Sequence, residues 1–411
     1  MAYEAGSGTS AVADQFVKPD LSRVLSVHDF EAIAAKTLNP KAWAFISSAA
    51  TDLYTKTRNA STYCKITLRP RILRDVSSVD LSTQLLGHKL RVPIFASPTA
   101  MAAVVHPEGE KAVGRAVKAS GMAHCISMSA SFPLKDIVED IHSHSVAVPH
   151  DTPIFLQFYV NKDRVLSEAL LKQAKEFGAT AVFLTVDAAS TGKREADERV
   201  RISEKLASPA SGVTATNDSK GGGLGRSLGS FIDNSVTWDD IKWIRQHAPG
   251  LKLVLKGIQT AEDAVMAMDA GVDGILISNH GGRTLDTAPA SILVLLELHR
   301  HCPQIFERLD VMVDGGITRG TDIFKALCLG AKAVGLGRST LYGLNYGYEG
   351  VVKLLEILRD ELEATMKICG VTTVDQLHAG YLNTLEVDHA ISTAFPRLGS
   401  LDLNIHDLSH Y

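Results

Sequence analysis

The sequence predicts an α/β protein: a (β/α)8 barrel with a helical extension before it and helices after it. Three observations carry this. Short apolar segments alternate with helical ones from residue 92 to residue 338. That span is close to the roughly 250 residues typical of the fold. Polar residues suited to chemistry (Ser127, Gln157, Tyr159, Asp187, Lys256, His280, Asp314 and Arg338) fall at or just beyond the ends of different apolar segments. A barrel gathers such ends into one ring. An open doubly wound sheet, which periodicity alone leaves in play, does not.

In chain order, residues 1–25 read as a disordered tail, rich in Gly, Ala and Ser at its start. Ser26 and Asp29 resemble a capping box for a helix carrying Phe30, Ile33 and Ala34. A second helix runs through Trp43, Phe45 and Ile46. The strands then read VPIFASP (92–98), AHCISMS (123–129), PIFLQFY (153–159), AVFLTVD (181–187), KLVLKG (252–257), GILISN (274–279), DVMVDGG (310–316) and AVGLGR (333–338). Continuous apolar runs suit parallel strands buried on both faces. Between them, TAEDAVMAMDAG has Thr260 and Asp263 as a capping box and Gly271 as a stop, and Gly330 closes GTDIFKALCLGA. The polar stretch 195–235 breaks the rhythm. It is too long for a simple connection, and a mobile lid over the strand ends is expected there. After residue 350, VVKLLEILRDELEATM reads as a packing or oligomer face. One domain over 26–400, with a short tail at 401–411, replaces the two or three domains that 411 residues alone suggest.

Composition narrows the class. The chain is 45% hydrophobic and 21% charged, enough apolar content for a full core. A net charge of −4 lacks the basic footprint of a nucleic-acid binder. No apolar run is long enough to cross a bilayer. The 5 cysteines are scattered with no C-x-x-C pair, which reads as reduced thiols. MAYEAGSGTSAVADQF has no basic segment followed by an apolar one, so it is no secretory signal. Without export, the glycosylation patterns at Asn59 and Asn217 carry no meaning. Ser409-His410-Tyr411 matches a peroxisomal signal only loosely, so a cytoplasmic enzyme is expected, with the peroxisome second.

The strongest motif is Ser278-Asn279-His280-Gly281-Gly282-Arg283. Histidine exchanges a proton near neutral pH, and arginine clamps a carboxylate bidentately. An isolated His-x-x-Arg reads best as a structural His and a surface Arg. Placement directly after a buried strand, with paired glycines that permit close approach, reverses that preference. Asp314-Gly315-Gly316-Ile317-Thr318-Arg319 and Gly337-Arg338 follow strands seven and eight, where barrels commonly bind phosphate. Neither completes G-x-G-x-x-G or a Walker loop, so a mononucleotide phosphate fits better than a dinucleotide. Lys256 reads as a cation beside a cofactor ring or as a snorkelling lysine. Asp187 reads as the partner of His280 or as a helix cap. His142, His144 and His150 have no metal spacing and read as a solvated loop; no metal is expected.

The segments SNHGGRTLD, VDGGITRGTDIFKALCLGAKAVGLGR and FLTVDA closely resemble the FMN-dependent 2-hydroxy acid oxidase and dehydrogenase family. That family includes glycolate oxidase, lactate oxidase and the flavocytochrome lactate dehydrogenases. AWAFISSAATD, LRPRIL and FIDNSVTWDDI look most like the flavin domain of the fungal flavocytochromes. The likeness runs from about residue 26 to 380, and too few residues precede it for a haem domain. It implies FMN on a (β/α)8 barrel. Pro98, Thr99 and Ala100 would line the flavin. Ser127, Gln157, Thr185 and Lys256 would contact its polar edge, with Ser278 beside it. Asp314, Gly315, Gly316, Arg319, Gly337 and Arg338 would hold ribityl and phosphate. Lys256 would stabilise the reduced anionic flavin. His280 would be the base, Asp187 its partner, Arg283 the carboxylate clamp and Tyr159 the partner of the substrate hydroxyl. Arg194 would support the charge near Asp187.

Two positions depart from that family. Phe45 stands where a tyrosine usually bonds the substrate carboxylate, and nearby Ala49 replaces the usual glycine. Ser129 stands where Trp or Leu often packs on the substrate side chain. The expectation is therefore oxidation of a 2-hydroxy acid bulkier than lactate to a 2-oxo acid. The alternatives are a modified amino acid or peptide-derived substrate, and a flavin-binding protein without turnover. Oxygen or an unknown acceptor would take the electrons, and the resemblance implies a homotetramer.

Overall fold

The computed structural model describes residues 16–147, 150, 152–209 and 211–392. Three helices lead into the barrel: α1 (Val27–Thr37), α2 (Pro40–Ser47) and α3 (Tyr54–Lys65). Side chains start the first two. Ser26 Oγ accepts from the Asp29 amide, and Asn39 Oδ1 accepts from the Ala42 amide ahead of Pro40 at the first helical position. Leu53, before α3, supplies no cap of its own.

The barrel strands are β1 (Ile94–Ala96), β2 (Ala123–Ser127), β3 (Ile154–Phe158), β4 (Ala181–Thr185), β5 (Lys252–Ile258), β6 (Gly274–Ile277), β7 (Asp310–Asp314) and β8 (Ala333–Leu336). Every neighbouring pair is parallel, and β8 closes on β1. The helices between them are α4 (Gly109–Ala119), α5 (Leu134–Ser143), α6 (Arg164–Glu176), α7 (Glu195–Arg199), α8 (Leu224–Leu228), α9 (Asp240–His247), α10 (Ala261–Asp269), α11 (Ser291–His301), α12 (Ile305–Arg308) and α13 (Gly320–Cys328). After β8 come α14 (Arg338–Leu344) and α15 (Gly347–Ile368). Gly271 and Gly330 end their helices at φ +70° and +103°, a region that costs other residues strain.

Two apolar cores form. The larger lies between the strands and the surrounding helices. The smaller fills the barrel with Phe95, Cys125, Phe155, Phe183, Val254, Leu276, Met312 and Ala333. Phe155 and Phe183 stack at 5.1 Å. A hairpin of Thr83–Leu85 and His88–Leu90 adds Leu85 and Leu90 to this core and plugs the end of the barrel away from the strand C-termini.

One expectation changes. Residues 16–25 are not a free tail. Asp20 caps a turn at Leu21–Arg23, the Tyr346 hydroxyl donates to the Pro19 carbonyl at 2.9 Å, and Lys18 reaches the Asn345 carbonyl. Residues 1–15, and the tail expected at 401–411, lie outside the described residues. The stretch 195–235 carries α7 and α8 and is knitted by ion pairs from Arg226 to Glu198 and Asp218. All five cysteines are free thiols. No helix among the described residues is long and apolar enough to cross a membrane.

Candidate active site

The site grows from the two-residue period of the strands. Inward side chains alternate, so stepping two residues on from the apolar interior reaches the next inward layer. That step leads from Phe95 to Ser97, Cys125 to Ser127, Phe155 to Gln157, Phe183 to Thr185, Val254 to Lys256, Leu276 to Ser278, Met312 to Asp314 and Ala333 to Gly335. A polar floor thus sits on an apolar plug. Gln157 Nε2 donates to Thr185 Oγ1 at 3.0 Å, and its Oε1 accepts from Ser127 Oγ at 3.3 Å. Ser97 Oγ donates to Asp314 Oδ2 at 3.0 Å. Gly335 is obligatory here, because a Cβ would lie 2.1 Å from Ser97 Oγ.

One further step along the chain reaches Asp187 and His280. His280 Nδ1 lies 2.9 Å from Asp187 Oδ1, and Lys256 Nζ lies 3.8 Å from Asp187 Oδ2. Burial opposes ionisation of Asp187, but the charges of Lys256 and His280 and the His280 hydrogen bond outweigh it and hold its pKa below the usual value. Burial lowers the His280 pKa below 6.5, against the opposing pull of Asp187. The imidazole is therefore neutral at pH 7 and able to take a proton. His280 has φ +57°, followed by Gly281 at +64° and Gly282 at +76°. Left-handed backbone at a non-glycine residue marks a locally constrained loop. Gly282 is needed there, because a Cβ would meet the Lys56 amide nitrogen at 2.7 Å.

Across the cleft, Arg283 donates to the Phe45 carbonyl at 3.0 Å and the Ile46 carbonyl at 3.2 Å. These are orphan carbonyls at the end of α2. Lys56 Nζ takes the next one, Ser47, at 2.8 Å. The Phe45 ring lies 5.0 Å from the Arg283 guanidinium carbon and 5.7 Å from that of Arg194. Burial lowers the Arg194 pKa against the pull of the Asp197 and Glu198 carboxylates, and its Nε and Nη1 are buried without a partner. Tyr159 and Ser129 complete this side of the cleft. Ser129 is small, and its amide donates to Ser127 Oγ at 3.1 Å.

Pro98, Thr99, Ala100, Gly315, Gly316, Gly337 and Arg338 line the same cleft. Three predicted residues do not: Asp187 lies behind His280 with its side chain fully buried, and the other two are Ser278 and Arg319. Ser278 lies under the cleft floor, fully buried, where its hydroxyl accepts from the His280 amide at 3.1 Å and from Lys256 at 3.4 Å. Arg319 is a correction: its guanidinium turns away and pairs with Glu361 of α15 at 2.8 Å, while Thr318 lines the cleft instead. The packing of α13 on α15 decides which side of this turn faces the site.

Sequence reasoning missed Asn59. Read as an empty glycosylation pattern, it is buried and forms a reciprocal amide pair with Asn279, both bonds 2.8 Å. The pair fixes the residue before His280. Its signal was the run Thr55, Asn59, Thr62, polar yet repeating at helical spacing on the buried face of α3. Lys56, also on the cleft wall, was missed too.

A flat, phosphorylated cofactor suits this donor set. Arg338 Nη1 is buried with no partner, and a Cβ at Gly337 would meet open space. Lys256, Gln157, Thr185 and Ser127 offer polar atoms on the floor at the other end.

The fold and this site define a (β/α)8 barrel with a cleft suited to a flat, phosphorylated cofactor. Residues 34–384 match the family model for FMN-dependent dehydrogenase. The chain is 42% identical over 372 residues to L-lactate dehydrogenase (cytochrome) of Saccharomyces cerevisiae, which covers 89% of this chain and 61% of the relative. It is 38% identical to a peroxisomal (S)-2-hydroxy-acid oxidase of Oryza sativa subsp. japonica over 88% of this chain and 96% of the relative. A mutant flavocytochrome b2 with benzoylformate superposes with a TM-score of 0.80 at 38% identity, covering 96% of this chain and 93% of that one. The chain belongs to the FMN-dependent dehydrogenase family, and FMN is its cofactor. It spans about three-fifths of the length of the cytochrome-type relative.

Proposed function

We propose that this protein oxidises the α-carbon of a 2-hydroxy acid to the 2-oxo acid, on a substrate bulkier than lactate. The observation that carries the reading is the His280–Asp187 pair opening onto the cleft that also holds Arg283. FMN, when bound, would take the two electrons and one of the two hydrogens that leave the substrate. Lys256, Gln157, Thr185 and Ser127 would hold its polar ring edge. Gly315, Gly316, Thr318, Gly337 and Arg338 would hold its ribityl and phosphate, and Pro98, Thr99 and Ala100 would line its face.

The remaining residues act on the substrate. Arg283 keeps N–H groups beyond those given to α2 and takes the carboxylate, with Arg194 as a second donor. Tyr159 bonds the hydroxyl. His280 Nε2 removes a proton as the alcohol becomes a carbonyl, and Asp187 stabilises the imidazolium that results. Ser129 leaves the room for a large side chain. The mutant flavocytochrome b2 carrying benzoylformate, an aromatic 2-oxo acid, supports a ligand of that size on this fold.

The test is turnover with a panel of 2-hydroxy acids from glycolate to mandelate, reading 2-oxo acid formed per acid consumed. A larger kcat/KM for the bulky members is expected. Preference for glycolate or lactate removes the size assignment. No 2-oxo acid from any member removes the activity.

A further inference from the structure

Behind the cleft's wall lies a buried lysine with no role in the chemistry above. Lys41 lies in the first turn of α2 and is buried. Its ammonium donates to Asp197 Oδ1 at 2.5 Å and to the carbonyls of Gly222 at 2.7 Å, Asp197 at 2.8 Å and Val200 at 3.0 Å. Asp197 is 1% exposed, and its second carboxylate oxygen accepts from the Gly225 amide at 2.9 Å.

Arg194 stands three residues before Asp197, at the start of α7. Its guanidinium lies against Gly225, where a Cβ would meet Nη2 at 1.4 Å. Gly225 therefore touches both the Asp197 carboxylate and the Arg194 guanidinium. A buried guanidinium and a buried carboxylate that share a neighbour can form a bidentate pair. Here they do not, and Arg194 keeps Nε and Nη1 unpartnered. Lys41 and the Gly225 amide occupy the carboxylate instead.

We infer that Lys41 is a positioning residue that holds Asp197 away from Arg194, leaving the Arg194 guanidinium free for the anionic end of the substrate. The inference rests on the reading that Arg194 meets the substrate carboxylate. Without the Lys41 charge, Asp197 is a buried carboxylate lacking its cation, and capture of Arg194 is its nearest remedy. The same lysine ties the start of α2 to the segment bearing Arg194, while the end of α2 presents Phe45 and holds Arg283. Both arginines are thereby referenced to one helix.

The experiment compares the FMN-loaded wild type with K41M, D197N, K41M/D197N and R194Q. The dissociation constant of pyruvate, read as a perturbation of flavin absorbance, is measured beside the KM of the best 2-hydroxy acid. K41M is expected to weaken pyruvate about tenfold or more, the loss of one charged hydrogen bond. K41M/D197N is expected to regain most of that loss, because no carboxylate remains to capture Arg194. D197N alone is expected to bind pyruvate as the wild type does. A double variant as weak as K41M, or unchanged binding in K41M, overturns the inference. Should K41M fail to fold, D197N decides: weakened pyruvate binding there means that Asp197 positions Arg194 directly, against the inference. If R194Q binds pyruvate normally, the carboxylate role of Arg194 fails and this inference with it. If R194Q is impaired and K41M is not, only the Lys41 inference fails.

Discussion

The Asp187 carboxylate is divided between an imidazole and an ammonium. One oxygen lies 2.9 Å from His280 Nδ1; the other faces Lys256 Nζ at 3.8 Å and has no hydrogen-bond partner. A neutral imidazole beside a carboxylate donates from Nδ1, which leaves the Nε2 lone pair as the base. Asp187→Asn is expected to cut kcat/KM by on the order of 10²–10⁴-fold with flavin still bound. The pH profile follows. Activity needs neutral His280, so kcat/KM is level above the His280 pKa and falls below it, with a midpoint under 6.5. Asp187 raises that pKa, so Asp187→Asn moves the midpoint further to acid. Steady-state kinetics across pH check both. A midpoint that moves to alkali contradicts the assignment.

Ser129 is expected to set side-chain room. Ser129→Leu fills the cleft wall and should shift the ratio of kcat/KM for bulky over small 2-hydroxy acids by about 10–200-fold toward small ones, the worth of a hydrophobic-pocket contact. An unchanged ratio in a two-substrate competition removes Ser129 from the selectivity.

Phe45 lies between two guanidinium groups with no hydroxyl of its own. Phe45→Tyr adds a donor at the carboxylate end of the cleft. A charged hydrogen bond is worth about 1.5–3 kcal/mol, so KM for small 2-hydroxy acids should fall by roughly 10- to 150-fold. No change in KM places the substrate carboxylate elsewhere.

Asp286 caps α3 from a distant loop. Its carboxylate accepts from the amides of Thr55 at 2.8 Å and Asp52 at 3.0 Å and from the Thr51 hydroxyl at 3.1 Å. Burial works against its ionised form, but hydrogen bonds from Thr55, Thr287 and Thr51 outweigh it and bring its pKa down to about 2. The folded pKa is depressed, so this stabilisation is full above the unfolded value of 3.8 and is lost as pH falls toward 2. Asp286→Ala is expected to cost about 1 kcal/mol near pH 7, the worth of a helix cap, read by denaturant unfolding. An equal cost at pH 2 and pH 7 contradicts the cap.

Much of the site was legible because parallel strands write it plainly. Buried strands read as apolar runs, and an inward polar residue two positions past an apolar one has to face the cleft, as Gln157 follows Phe155 and Lys256 follows Val254. Loops obey no such period. Nothing local to Thr318-Arg319 says which side chain faces inward; Glu361, far along the chain on α15, decides it. Asn59 was illegible for the same reason, since its partner Asn279 lies 220 residues away. Residues 16–25 look like a tail by composition, yet Tyr346 and Asn345 hold them. The stretch 195–235 looks like loop, yet the Lys41 clasp and the Arg226 ion pairs organise it.

The central claim is that a 2-hydroxy acid reduces the FMN of this protein through His280. The most direct test is anaerobic mixing of the yellow protein with 2-hydroxy acids of increasing size, reading flavin absorbance. The account predicts bleaching by a bulky acid, with one 2-oxo acid formed per flavin, and bleaching slowed by orders of magnitude in His280→Gln. A flavin that stays oxidised with every acid, or bleaches equally fast in His280→Gln, contradicts it.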